Sequence, residues 1–266
     1  MRPFTHRVGP LALLLAVAIA PAAAADTLTE RYEETFEVAP GVQIDLRNTN
    51  GAIEIDTWSR DAVEVIAIKT VRSRDDDSAR QALEDIRIRI DASSDRLDIE
   101  TELPRGSNGV LSWLFGRHVS ASVEYELRIP DSARLDVVTV NGSVYSDGTA
   151  GPQRLRSTNG RITVDAAGGP IVARTTNGSI ELELTAAASD TAIEASTTNG
   201  SITVRVPGDL AGSLEARTIN GSVRSDLPVK LSGGASKRRI DADLNGGGPA
   251  RIELRTTNGS IRIRES

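Results

Sequence analysis

The 266-residue chain contains no cysteine and only two histidines. Without thiols it has no disulfide, thiolate nucleophile, iron–sulfur cluster or Cys-based zinc site, and no Cys at which an export signal would be lipidated. One histidine, His6, lies in a segment that we expect to be cleaved, so the mature chain keeps only His118. A single imidazole excludes a multi-histidine metal site, and a Ser-His-Asp triad would depend on that one residue.

Long hydrophobic runs are also missing, since the longest, Leu11 to Ala20, is ten residues and a membrane-spanning helix needs about 20. This run follows Arg2 and Arg7 and precedes Ala23-Ala24-Ala25, which is the pattern of a cleavable export signal. Residues 1–25 therefore predict a signal peptide, with an uncleaved short anchor as the alternative. We expect a mature chain without a transmembrane segment, in the periplasm or at the cell surface.

The chain has fewer basic than acidic residues, with 31 Lys and Arg against 37 Asp and Glu. The formal net charge is −6 with a pI near 5.2, and removal of residues 1–25 takes away two Arg and no acid, which leaves −8. An acidic chain is not expected to bind nucleic acid or anionic lipid through charge. We also predict no cofactor and no metal.

Internal repeats dominate the rest of the chain. Asn-Gly recurs at intervals of 18, 18, 22 and 21 residues between Asn141 and Asn220, and then after 38 residues at Asn258. The longest interval contains Asn245-Gly246, which we interpret as a degenerate copy. Apolar residues alternate with polar ones on both sides of each Asn-Gly, which is the pattern of strands with one buried face. Each repeat therefore predicts a strand, an Asn-Gly corner and a second strand.

Two architectures fit this pattern. Asn-Gly is either the two-residue loop of an antiparallel hairpin or the corner of one coil in a parallel stack. The hairpin register would place Arg255 opposite Arg262 and Arg217 opposite Arg224, and like charges opposite each other are unfavourable. A parallel stack instead lets each Asn amide bond to its copies above and below. We therefore favour a β-solenoid, with stacked antiparallel hairpins as the alternative. Its predicted turn ladder consists of Asn141, Gly142, Asn159, Gly160, Asn177, Gly178, Asn199, Gly200, Asn220, Gly221, Asn258 and Gly259.

The preceding part of the chain is β-rich and less regular. We predict an N-terminal cap region over residues 26–130 and the solenoid over residues 131–266, with Asn50-Gly51 as an early corner. Asp75-Asp76-Asp77-Ser78 followed by Ala79–Leu83 predicts either a short capped helix or a solvated loop. A calcium site is the third interpretation of the three carboxylates, although the segment lacks the glycine and the closing Glu of a calcium loop.

Three features together resemble the putative-adhesin family of exported bacterial proteins of unknown function: Ile129-Pro130-Asp131-Ser132-Ala133-Arg134-Leu135, the repeated T-x-N-G-S-I and the late Asn-Gly-Gly-Gly-Pro. The resemblance covers roughly residues 35–266. It implies a right-handed parallel β-solenoid, or β-helix, outside the cytoplasm, and it brings no catalytic or ligand residues.

Few residues are candidates for chemistry. A glycan-active enzyme would need two carboxylates about 5–9.5 Å apart, and the outward acids Glu181, Glu183, Glu194, Glu215 and Glu253 alternate with Arg as on an exposed sheet. We predict no catalytic residue. The Gly-bounded cluster Trp113, Leu114 and Phe115 is either a cover for the core or an exposed partner contact.

These patterns predict a non-enzymatic, envelope-associated, adhesin-like binding or scaffold protein whose partner is an envelope protein or a glycan. The alternatives are a glycan-active β-helix enzyme and a self-assembling structural protein. Because the last repeat ends at Ile263 without a distinct cap, we expect either a monomer or weak self-association through that end. We further expect Gly200 to need a positive φ at its corner.

Overall fold

The structure is a computed structural model that describes residues 27–73, 75–103, 119–185 and 191–266, and only the backbone of residues 229 and 231–235. Over these residues the chain forms one helix and 21 strands. The first half contains β1 (Thr27–Glu37), β2 (Gln43–Arg47), β3 (Ile53–Trp58), β4 (Ala62–Arg72), α1 (Asp76–Asp85), β5 (Arg87–Ala92), β6 (Arg96–Glu102), β7 (Ser120–Pro130), β8 (Arg134–Thr139) and β9 (Val144–Asp147).

The second half alternates regularly between longer and shorter strands. These are β10 (Gln153–Asn159), β11 (Ile162–Ala167), β12 (Ile171–Asn177), β13 (Ile180–Leu184), β14 (Ala192–Asn199), β15 (Ile202–Val206), β16 (Gly212–Asn220), β17 (Val223–Ser225), β18 (Val229–Ser236), β19 (Arg239–Leu244), β20 (Ala250–Asn258) and β21 (Ile261–Glu265).

The strands form two sheets. Sheet A has the order β1-β4-β7-β3-β9-β11-β13-β15-β21-β17, and sheet B has the order β18-β19-β16-β20-β14-β12-β10-β8-β2-β6-β5. Consecutive strands such as β12 and β13 lie in different sheets, and each pairs in parallel with the equivalent strand of the neighbouring repeat. The chain therefore stacks two-stranded coils, and the antiparallel-hairpin alternative is wrong for these repeats.

The core lies between the two sheets, where the apolar columns of the repeats meet. Ile171, Ala173, Ile180 and Leu182 are at most 1% exposed, and their equivalents in the other coils are buried in the same cluster. Residue Ile171 is in register with Ile193, and Ile180 with Ile202. Apolar residues thus stack coil upon coil, and the intervening polar residues form the outer faces.

The order of coils in the stack differs from their order in the chain. Strands β20 and β21 lie between the coil β14/β15 and the coil β16/β17, so the last repeat is internal. At this end of the stack, sheet B continues with β19, which pairs antiparallel with β16, and with β18, which pairs antiparallel with β19, whereas sheet A ends at β17. The expectation of an uncapped end at Ile263 is therefore wrong.

Strands from the predicted cap region enter the same sheets. Strand β2 pairs in parallel with β8, and β3 pairs in parallel with β9, so residues 43–58 form a coil of the stack. Outside them, β5 pairs antiparallel with β6 in sheet B, and β1, β4 and β7 are antiparallel in sheet A. The division at residue 130 stays a prediction, although strands on both sides of it share the two sheets.

The acidic segment begins a helix, which is the first of the alternatives that the sequence left open. Asp75 is the N-cap, and its carboxylate accepts a hydrogen bond of 2.9 Å from the backbone N–H of Ser78. Such a cap satisfies an N–H that has no partner within the helix. The buried Ala79 and Ala82 attach α1 to the core. No helix in the described part of the chain is long and apolar enough to span a membrane.

Candidate binding surface

The corners carry an unbroken ladder of asparagine side chains. The spatial order is Asn50, Asn141, Asn159, Asn177, Asn199, Asn258, Asn220, and each Nδ2 after the first donates to the Oδ1 of the Asn before it in this order, over 2.7–2.8 Å. Outside this ladder, Asn245 follows β19, has a φ of 49° and donates to the carbonyls of Gly208 and Leu210. The interpretation of Asn245-Gly246 as a further repeat is therefore wrong.

The glycines of these corners are required by close approach. The backbone φ of Gly200 lies outside the left-handed region, so the expected positive φ is wrong at this corner. A methyl group at Gly200 would instead overlap the carbonyl oxygen of Gly178 in the adjacent coil, and one at Gly178 would overlap that of Gly160. Only glycine allows the backbones of successive corners to pack this tightly.

A column of buried hydroxyls, which the sequence analysis did not identify, supports the same corners. Thr175, Thr197 and Thr256 each donate from Oγ1 to the carbonyl oxygen of the corner glycine in the adjacent coil, over 2.9–3.0 Å. Ser157 and Thr218 make the equivalent bonds. The signal was the Thr or Ser two residues before each of Asn159, Asn177, Asn199, Asn220 and Asn258. Alternation alone places that residue on the buried face, where a hydroxyl needs a partner.

The outer face of sheet B balances its own charges. Glu194, Glu253 and Glu215 are in register on adjacent strands. Arg174 contacts Glu194 at 2.6 Å, and Arg255 lies within 4 Å of both Glu253 and Glu215. The outward acids that an enzyme would use are thus divided, with these three on sheet B, paired to arginine, and Glu181 and Glu183 on sheet A.

On the outer face of sheet A, in contrast, the strands from β3 to β17 carry acidic and basic residues in separate groups. We call Glu54 and Asp56 on β3, Tyr145 and Asp147 on β9 and Asp165 on β11 the acidic patch. None of its four carboxylates forms an ion pair with a described side chain. Burial, followed by the charges of Asp147, Asp165 and Asp56, raises the pKa of Tyr145. Negative charge is therefore concentrated around one aromatic ring.

The opposite end of the same face is basic. We call Arg205 on β15, Arg262 and Arg264 on β21 and Arg224 on β17 the basic edge. Arg224 and Arg262 are directly opposite each other in register, and neither contacts an acidic side chain within the described residues. Arg205 is paired with Glu183 at 3.6 Å and Arg264 with Asp226 at 3.7 Å. The four carboxylates of the acidic patch and the guanidinium groups of Arg224 and Arg262 thus leave charge of both signs unpaired on one face of the sheet.

Trp58 extends this surface at the end of β3, because it lies two residues after Asp56 and four after Glu54 and therefore on the same face of the strand. Its indole Nε1 donates to the carbonyl of Ala62 over 2.8 Å, and the Arg60 guanidinium lies 4.9 Å from the ring centre. The other tryptophan, Trp113, lies outside the described residues, as do Leu114, Phe115 and His118, and their roles stay predictions.

The described residues contain no group of three or more His, Asp or Glu side chains arranged to hold a metal ion. One groove on sheet B has a volume of about 270 Å³ and is lined by Glu215, Asp241, Glu253, Arg239 and Arg251. Arg239 pairs with Asp241, and Arg251 lies 3.6 Å from Glu253. This arrangement neutralises the carboxylates in the groove.

A family model described as Toastrack DUF4097 matches residues 43–264. A solved structure of a putative cell adhesion protein from Clostridium sporogenes is similar, with a TM-score of 0.51 and 14% identity over 89% of this chain and 100% of the other. A putative adhesin from Bacteroides fragilis has a TM-score of 0.39 and 14% identity over 92% of this chain and 100% of the other. A search of curated protein sequences finds no match. At this identity the structural similarity concerns the fold alone.

Proposed function

Because the chain belongs to the Toastrack DUF4097 family, we propose that it is a non-enzymatic, adhesin-like binding or scaffold module, exported to the cell envelope and presenting the outer face of sheet A to a partner. The observation that carries this proposal is the uncompensated charge on that face, the acidic patch and the basic edge. The coils are taken as right-handed and the first 25 residues as an export signal, in line with the sequence analysis.

The stacked coils hold the outward side chains of this surface in fixed positions before a partner binds. Adjacent strands of a sheet are about 4.8 Å apart, so outward side chains on successive coils stand at a fixed spacing. The Asn ladder, the corner glycines and the buried hydroxyls hold that spacing without using any outward residue of sheet A. A preorganised surface loses little conformational freedom when a partner binds.

The pairing of charges favours sheet A over sheet B as the binding surface. On sheet B the acids already contact Arg, and a partner would have to break those contacts. On sheet A the acidic patch is free to contact the positively charged groups of an envelope protein or an amino-bearing glycan, beside the ring of Tyr145. Aromatic rings and uncompensated charges are the usual anchors of interaction surfaces.

The proposal is tested by binding of the purified protein to immobilised envelope glycans and to defined envelope proteins. We expect the double variant Asp147→Asn, Asp165→Asn to lose at least fivefold in affinity for the ligand found, because two of the four patch carboxylates become neutral. Asp136→Asn, on the outer face of sheet B, is the matched control and keeps its affinity.

Two results would contradict the proposal. Equal affinity of the double variant and the wild type would remove sheet A from the binding surface. Turnover of any glycan that a single Asp or Glu substitution abolishes would make the protein an enzyme, the alternative class.

A further inference from the structure

The acidic patch and the basic edge lie symmetrically about one strand. Along sheet A the strands run β3, β9, β11, β13, β15, β21, β17, so β13 is the middle of seven. The three strands on one side carry the four acids of the patch, and the three on the other side carry the four arginines of the edge. A half-turn about β13 therefore exchanges the positions of the acidic patch and the basic edge, so the surface is electrostatically complementary to a second copy of itself.

We propose that the outer face of sheet A docks onto the same face of a second copy of this chain. The two copies are related by a two-fold axis that runs parallel to β13, midway between the two facing copies of sheet A. The inference rests on the proposed function, in which this face is the binding surface, and names one partner for it. Such an isologous contact places β3 against β17, β9 against β21 and β11 against β15 of the other copy.

The register of the strands sets which side chains meet. One row across the sheet runs Glu54, Tyr145, Thr163, Glu181, Thr203, Arg262, Arg224. Rotation about β13 reverses that row, so that Glu54 faces Arg224 of the second copy and the Tyr145 ring faces Arg262. The first contact is an ion pair, and the second is a cation–π contact.

A second row contains Asp147 and Asp165 at one end and Arg205 and Arg264 at the other. The same rotation places Asp147 opposite Arg264 and Asp165 opposite Arg205 of the second copy. The two-fold axis doubles each of these contacts. Three acids and four arginines of each copy thus face the opposite charge or an aromatic ring, whereas Asp56 lies opposite the end of β17, where Asp226 follows.

Like charges meet in two places. Asp56 lies near Asp226 of the second copy, which is 3.7 Å from Arg264 of its own chain. The central strand also places like charges together, and it carries its own counterions. Glu181 and Glu183 on β13 would lie close to their copies across the axis. Glu181 is 3.8 Å from Arg161, and Glu183 is 3.6 Å from Arg205. These ion pairs reduce the repulsion at the axis, where a two-fold contact cannot otherwise avoid it.

The size of the surface predicts a weak dimer. Seven strands cover about 30 Å across the sheet and about 16 Å along it, or about 500 Å² per copy and 1,000 Å² in total. Interfaces of this size are at the lower end of the specific range, and ion pairs at the surface weaken as salt screens them. Strand β17 is the edge of sheet A, so β7, β4 and β1 of each copy extend past the end of the other.

The test is sedimentation velocity of the full chain over a concentration series at 50 mM and 500 mM salt. For the wild type we expect a monomer–dimer equilibrium whose dissociation constant rises at least tenfold at the higher salt. Asp147→Arg alone and Arg264→Asp alone each set like charges against each other and raise the dissociation constant at least tenfold. The double variant restores opposite charges with the signs exchanged and returns to within threefold of the wild type.

Arg156→Asp is the control, because it changes the charge by the same amount as Arg264→Asp but on the outer face of sheet B. We expect it to dimerise as the wild type does, and unchanged thermal unfolding of all four variants verifies that each is folded. A wild type that stays monomeric throughout, or a double variant that does not recover, overturns the proposal. Loss of envelope binding with a salt-sensitive dimer intact rejects the proposed function alone.

Discussion

Replacing Asn177 by alanine removes two side-chain hydrogen bonds from the middle of the ladder. Its Nδ2 donates to Asn159 over 2.8 Å, and its Oδ1 accepts from Asn199 over 2.8 Å. A net contribution of about 0.5–1 kcal/mol per bond, the lower part of the usual range because the amides are exposed, gives about 1–2 kcal/mol in total. For a chain of this size that loss lowers the Tm by about 3–6 °C.

Two matched variants isolate the ladder from the general effect of truncation. Asn220 is the last member and donates one bond, to Asn258, so Asn220→Ala is expected to cost about half as much as Asn177→Ala. Thr176 is the exposed neighbour of Asn177, and Thr176→Ala is expected to change stability by less than about 0.5 kcal/mol. Chemical denaturation followed by circular dichroism measures all three. Equal losses for Asn177→Ala and Thr176→Ala would refute a stabilising ladder.

Three further predictions concern the interior. Gly200→Ala is expected to cost about 3 kcal/mol or more of folding stability, because the new methyl group overlaps the Gly178 carbonyl. Gly246 has a φ of +84° and open space around it, so Gly246→Ala is expected to cost about 1 kcal/mol. Similar losses of stability for the two variants in thermal melts would reject the close-approach argument. Thr197→Val loses a buried hydroxyl bond of 2.9 Å and about 1–2 kcal/mol in urea denaturation, and no loss would show that the hydroxyl column is dispensable. Burial raises the pKa of Tyr125 to about 12, so its contribution to stability is complete below pH 10, the unfolded value, and is lost as the pH rises towards 12. Tyr125→Phe should therefore lessen the alkaline loss of stability, and an unchanged pH profile would contradict this account.

The repeat pattern predicts much of the fold because several local signals agree. Apolar alternation around each Asn-Gly identifies which side chains form the core, and the conflict between Arg255 and Arg262 in a hairpin register points to parallel stacking. The cap of α1 is equally local, since Asp75 and Ser78 are three residues apart. These inferences need only the geometry of one strand or one helical turn.

The order of the coils could not be predicted in the same way. The copies around Asn199, Asn220 and Asn258 present nearly identical residues, so each fits against either of the others in the same register. The basic edge depends on that order, because it forms only where β15, β21 and β17 become neighbours. The requirement for glycine at the corners was also hidden, since a contact with the carbonyl of another coil leaves no local signal.

Insertion of the last repeat has a consequence for how the protein is made. Residues 212–225 leave the ribosome before residues 250–265, yet in the finished stack the later segment separates them from β14 and β15. Until residues 250–265 are made, β16 and β17 can pair directly with β14 and β15, because their corner residues match those of β20 and β21. That pairing would place β16 and β17 one coil too close to β14 and β15. The completed chain must therefore open that contact or never form it. Secretion in an unfolded state would avoid the problem, because all copies would then compete for their places at the same time.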